Sequence, residues 1–135
     1  MADRGEIERI VREAYAARRD GDLDALSRIF AESAEFRLTG SGPLAISATG
    51  AKQFKHVVQE LITVFEWLDQ TILTIIIEGS RAAVHWRGTI RSTATGETVE
   101  TELVDIFRIE NGRIASLIEF CDTALATRLT GTPPA

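Results

Sequence analysis

TVETELVDIFRI (Thr98–Ile109), ENG (110–112) and RIASLIEFC (Arg113–Cys121) form the stretch on which the fold turns. Both flanks read as β-strands, with apolar residues on both faces, and the centre carries the turn dipeptide Asn111-Gly112. Two strands joined so closely form an antiparallel hairpin. The length of the turn decides which side chains share a face. A two-residue Asn-Gly loop puts Asp105 on the face of Ile118. A three-residue loop, Glu110-Asn111-Gly112 with Gly112 left-handed, puts it with Leu117 and Glu119. The three-residue loop is the better expectation. It gathers Leu103, Phe107, Ile109, Leu117 and Cys121 inside, and leaves Val104, Ile106, Ile118 and Phe120 outside. It also places Asp105 and Glu119 on the core side as diagonal neighbours, roughly 7–8 Å apart between backbones. Buried carboxylates are costly unless paired, protonated or facing a cavity. Burial and a like charge both raise a carboxyl pKa, and two acids with split pKa values can divide acid and base roles.

Working outward, the segment Arg81–Arg91 alternates cleanly. Ala82, Val84, Trp86, Gly88 and Ile90 form one face, and Arg81, His85, Arg87 and Arg91 the other. A further strand is expected near Ile72–Glu78, with turns at Gly79-Ser80 and Thr95-Gly96. Upstream the period changes to that of helices. Ile7, Ile10, Val11, Ala14 and Tyr15 make one stripe, with Asp3 as N-cap, Arg18 and Arg19 suited to the helix C-terminus and Gly21 closing it. Asp22 can cap a short second helix carrying Leu23, Leu26, Ile29 and Phe30, and a short strand follows near Ala34–Leu38. Phe54, Val57, Val58, Leu61, Ile62 and Phe65 mark a third helix. Between these last two elements, residues 39–50 read as a loop and a candidate pocket rim. Helices first and hairpin-linked strands after is an α+β pattern. One domain over residues 1–130 is expected, with a frayed tail at 131–135.

Composition narrows the function. The 135 residues carry a net charge of −5 with their basic residues scattered, which argues against nucleic acid. No apolar run approaches a membrane span, and the charged N-terminus has no apolar core of a signal peptide. The single cysteine, Cys121, precludes an intrachain disulfide, so a cytoplasmic protein is expected. His56 and His85 have no second ligand at metal spacing, so neither a metal nor a cofactor is expected. The outer apolar set of the hairpin is too large to leave wet, which points to a homodimer through the outer sheet face. Asp122 ends the last strand, and Trp67, just past the third helix, is placed to cover a pocket mouth or the interface.

Two runs carry a family resemblance. Tyr15-Ala16-Ala17, Gly21-Asp22-Leu23-Asp24-Ala25-Leu26 and Ile29-Phe30-Ala31 resemble the opening of SnoaL-like proteins of the nuclear-transport-factor-2-like superfamily. Val104-Asp105-Ile106-Phe107-Arg108, Asn111-Gly112-Arg113-Ile114 and Glu119-Phe120-Cys121-Asp122 resemble their closing hairpin. The resemblance implies a cone of three N-terminal helices on a strongly curved antiparallel sheet, often dimeric, around a ligand pocket. Against ketosteroid isomerases, Asp105 matches the protonated Asp that donates to an oxyanion. The base position falls on Leu38, and the tyrosine position on Ala14, one residue before Tyr15. Against limonene-epoxide hydrolases, Glu119 matches the acid of the final strand, whereas the other polar positions fall on Phe36, Leu38, Trp86 and Gly88. The resemblance thus implies catalytic Asp105 and Glu119 in a pocket shaped by Tyr15, Phe36, Leu38 and Trp86, suited to a small hydrophobic or aromatic molecule. Two functions remain open. One is cofactor-free acid/base chemistry (isomerisation, cyclisation, dehydration or hydrolysis). The other is a non-catalytic ligand-binding or dimeric association module.

Overall fold

A computed structural model describes residues 3–40 and 45–130. Its elements in order are α1 (Arg4–Asp20), α2 (Leu23–Ile29), β1 (Phe30–Leu38), β2 (Ile46–Thr49), α3 (Ala51–Val64), β3 (Phe65–Glu78), β4 (Arg81–Ser92), β5 (Thr98–Glu110), β6 (Arg113–Phe120) and α4 (Thr123–Leu129). The fold is α+β, as the sequence pattern implies. The helix boundaries follow the capping residues. The Asp3 side chain accepts from the Glu6 amide, Gly21 ends α1 at φ 67°, and the Asp22 side chain accepts from the Ala25 amide. Each cap satisfies an amide or carbonyl that the first or last turn leaves without a helical partner.

The six strands form one sheet in the order β2-β1-β6-β5-β4-β3. It is a mixed sheet rather than a purely antiparallel one, because β1 and β6 run parallel. Four helices, not three, accompany it. The unforeseen one is α4, and Asp122, which was expected to end the last strand, is its N-cap and accepts from the Leu125 amide at 3.0 Å. The short strand β2 falls inside the stretch expected to be a loop. Part of that loop, residues 41–44, and the expected tail at 131–135 lie outside the described residues.

The register of the hairpin differs from expectation in cause, though not in outcome. The turn is the two-residue Asn111-Gly112, with φ of 52° and 75°, and Glu110 pairs with Arg113. Both positive φ values fit the turn type whose twist suits a hairpin. A β-bulge then inserts Ala115 into β6, so that Ile109 faces Ile114 but Arg108 faces Ser116. From there on Asp105 stands directly opposite Glu119 and Phe107 opposite Leu117. The bulge, not a longer turn, brings the two acids to one face, and it makes them direct rather than diagonal neighbours.

Two more bulges explain why the first half of β3 reads poorly as a strand. The register slips between Trp67 and Asp69 and again between Ile72 and Thr74. The extra residues, Leu68 and Leu73, are exposed. Each slip reverses the parity, so Trp67, Gln70, Ile72 and Ile75 fall opposite Ile90, Gly88, Trp86 and Val84 of the inner face of β4. The core lies between that inner face and the helices. Ile7, Val11, Phe30, Val84, Phe107 and Ile114 are among its least exposed members.

Deleting Ala115 removes the extra residue, so that Ser116 follows Ile114 directly and Asp105 still stands opposite Glu119. We expect the cooperative thermal transition and the near-UV circular dichroism to persist, whereas their loss would contradict the register argument.

Candidate functional site

Asp105 is 1% exposed, the most deeply buried acid among the described residues. Three elements hold it. Tyr15 of α1 donates its hydroxyl to Oδ2 at 2.5 Å, and Trp86 of β4 donates its indole N–H to the same oxygen at 2.8 Å. Tyr15 rests edge-on against Trp86, with ring centroids 5.3 Å apart, and against Phe107 at 5.9 Å. The other carboxyl oxygen, Oδ1, is buried and accepts from no donor. Across the ladder, the Glu119 carboxyl is close enough to share a proton with Asp105. Two ionised carboxylates offer only acceptors, so such a bond requires one acid to keep its proton.

Electrostatics favours Asp105 as the acid that keeps it. Burial pushes its pKa well above the usual carboxylate range, and the Glu119 charge and the shared proton push it further. The Tyr15 and Trp86 donors pull the other way. Burial, then the neighbouring Asp105, also drives the Tyr15 hydroxyl far above its ordinary value, so it remains a neutral donor. Glu119 differs in being only half-buried.

Both acids line one cavity, which has about 120 Å³ of room for the centres of water-sized molecules. Phe36, Leu38, Phe54, Trp67, Trp86 and Leu103 give it a largely apolar wall. Trp67 and Trp86 meet with centroids 4.8 Å apart over Gly88, where a Cβ would lie 2.5 Å from the Trp67 ring and 3.0 Å from the Trp86 ring. Only glycine lets both indoles close on that spot. Residues Leu125, Ala126 and Leu129 of α4 cover one end. That helix is tied down by Ser92, whose hydroxyl donates to the Leu129 carbonyl, and by the Arg128–Glu97 ion pair at 2.6 Å.

All six residues singled out from the sequence, Tyr15, Phe36, Leu38, Trp86, Asp105 and Glu119, line this cavity. Trp67 lies on its wall, away from the outer face. His56 does not line it. It pairs with Glu60 at 3.1 Å on the exposed side of α3, and His85 pairs with Glu102 at 2.7 Å on the outer sheet face. Cys121 lines the cavity, but its thiol is pushed up to about 12 by burial and by Glu119, Asp122 and Asp105, which makes it a poor nucleophile. No group of three or more His, Cys, Asp or Glu residues suited to a metal occurs among the described residues. Arg18 and Gln70, both on the cavity wall, escape the sequence reading. Arg18 carried a signal, since it stands three residues after Tyr15 and so on the same helical face. Gln70 carried none, because its parity is set by a bulge.

Comparison with known proteins agrees with this architecture. The SnoaL-like domain model matches residues 11–117, and the chain belongs to that family. An NTF2-like protein from Burkholderia xenovorans is 25% identical, with a TM-score of 0.78 over 93% of this chain and 96% of its own. A protein of ketosteroid isomerase-like fold from Catenulispora acidiphila, solved in complex with trimethylamine, is 16% identical, with a TM-score of 0.79 over 92% of this chain and 93% of its own. An LEH-like epoxide hydrolase from M. tuberculosis is 13% identical, with a TM-score of 0.75 over 93% of this chain and 85% of its own. At these last two identities the likeness is one of fold. No curated protein matches the sequence.

The raised pKa of Asp105 fixes the sign of a pH effect. Between its unfolded pKa, about 4, and its higher folded one, the native state holds the extra proton, so this group's contribution to stability falls as pH rises. Asp105→Asn keeps an acceptor for Tyr15 and Trp86 but does not titrate. In urea unfolding the wild type should lose stability relative to this variant as pH climbs above about 4, by at most about 1.4 kcal/mol per pH unit. Parallel pH profiles would contradict a raised pKa.

Proposed function

We propose that this chain is a cofactor-free acid/base enzyme acting on a small hydrophobic or aromatic molecule, with Glu119 as the catalytic base and proton shuttle. The observation that carries the reading is a buried carboxyl standing directly opposite a half-buried one, both on the wall of an apolar cavity. A carboxyl pair holding one proton can take up a second or give up the first, so it can act as base and then as acid. Glu119, the more accessible partner, meets the substrate. Asp105 has Oδ2 occupied by Tyr15 and Trp86, which leaves Oδ1 for its proton and directs that proton toward Glu119. In this reading Asp105 is a positioning residue that acts through Glu119 rather than a direct donor to an oxyanion. Trp86, Phe36 and Leu38 shape the apolar wall, and Tyr15 orients Asp105. One domain over residues 1–130 and a cytoplasmic setting complete the proposal, with Cys121 as a free thiol consistent with a reducing compartment.

We also propose a homodimer through the outer sheet face. Ile76, Ala83, Ile106 and Ile118 stand side by side across β3, β4, β5 and β6 on that face. Ile76 is 62% exposed, Ile106 37% and the nearby Phe120 43%, an apolar strip that gains from being covered.

Proton abstraction can be read without knowing the product. A panel of small enolisable ketones and cyclic dicarbonyls is incubated with the protein in D2O, and loss of the α-proton signals is followed by NMR. Protein-dependent exchange should appear for at least one member and fall by about 10²-fold or more in Glu119→Gln. Binding without exchange, or exchange indifferent to that substitution, would leave a binding module instead. In sedimentation at micromolar concentration the wild type should be a dimer and Ile106→Glu a folded monomer. A monomeric wild type would overturn the interface.

A further inference from the structure

The cavity contains a cation that the acid pair does not use. Arg18 lines it, half-buried at the end of α1, and makes no ion pair or hydrogen bond through its guanidinium among the described residues. Burial lowers its pKa, and the Glu119 charge, reaching it through space, offsets part of that. An arginine in a protein stays charged, and a half-buried guanidinium with no acceptor among the described residues gains from one. A second, independent feature points the same way. Gln70, also on the wall, has its Nε2 buried with no acceptor. Two unpartnered donors on an apolar wall describe a ligand with a strong acceptor end. The size of the space narrows the remainder. One water requires roughly 10–15 Å³ of such room, so the cavity's about 120 Å³ accommodates roughly ten heavy atoms. That is a single ring with a short side chain, and too small for a four-ring steroid.

We propose that the cavity takes an organic carboxylate of single-ring size, with its carboxylate on Arg18, a further hydrogen bond from Gln70, and its apolar body against Trp86 and Phe36. The proposal rests on the ligand-cavity part of the function above and names the substrate class for it. A guanidinium matches a carboxylate with two parallel N–H···O bonds, and in a partly desolvated site such a pair is strong. A neutral amide of the same shape loses the charge and places N–H groups against donors. Arg18 would then fix the acidic end of the ligand while Glu119 faces another part of it.

The test compares trans-cinnamate with cinnamamide, and benzoate with benzamide, by calorimetry at neutral pH, with saturation-transfer NMR to confirm contact. In the wild-type chain the carboxylates should bind about tenfold or more tighter than their amides. That preference should largely vanish in Arg18→Gln and return in part in Arg18→Lys, and Gln70→Leu should weaken the carboxylates by a few-fold. Far-UV circular dichroism and the melting transition verify that each variant folds, and the wild-type comparison needs no variant. Equal or tighter binding of the amides overturns the carboxylate assignment and leaves the apolar-ligand reading standing. A preference that persists in Arg18→Gln also overturns it, because the charge would then lie elsewhere. Binding of none of the four probes removes both the assignment and the ligand cavity on which it rests.

Discussion

The carboxyl of Asp105 is the point to which the rest of the structure is tied. It sits in β5, its Oδ2 is bonded from α1 by Tyr15 and from β4 by Trp86, and its ladder partner Glu119 belongs to β6. One group thus joins the first helix to three neighbouring strands. A charged form would have to be solvated by two donors alone, against the burial cost and a second acid close by. The neutral form avoids most of that cost and supplies a proton for Oδ1. The network therefore holds best in one protonation state, and that state makes the site chemically distinct. Tyr15 and Trp86 lock one oxygen and leave the other without a donor.

Around this network the chain is arranged to leave a largely apolar void. Gly88 removes the side chain that would separate Trp67 from Trp86, and the two indoles form one wall. Helix α4 covers one end and is held by Ser92 and the Arg128–Glu97 pair. An apolar wall strengthens the electrostatic interactions beside it, which is why the Asp105–Glu119 pair and Arg18 matter here more than they would on a surface. The outer sheet face has the opposite character. Its polar groups pair with each other, as His85 does with Glu102, and an apolar strip is left between them.

Much of this was legible in the sequence because it depends on local rules. Asp3, Gly21 and Asp22 announce the ends of α1 and the start of α2 through capping chemistry, and the strict alternation of Arg81–Arg91 fixes the faces of β4. The shared face of Asp105 and Glu119 was also legible, though through a turn that is not the one the chain uses. The bulge at Ala115 has no local signature, because a buried alanine after a buried isoleucine reads equally well as regular strand. The same limit hid the start of β3, where exposed Leu68 and Leu73 break the alternation. Helix α4 was missed because seven residues carry too few turns to show a period. Arg18 reads from the sequence as a cation for the helix C-terminus, a sufficient local reason that hides its place on the cavity wall.

The central claim is that Asp105 keeps its proton at neutral pH because of burial and its tie to Glu119. Infrared difference spectroscopy of the wild-type chain against Asp105→Asn tests it most directly, with the carboxyl carbons isotopically labelled. The account predicts an un-ionised carboxylic-acid carbonyl band at neutral pH, where an ordinary aspartate is ionised, that is absent from the variant. A spectrum showing only ionised carboxylate at neutral pH would contradict it.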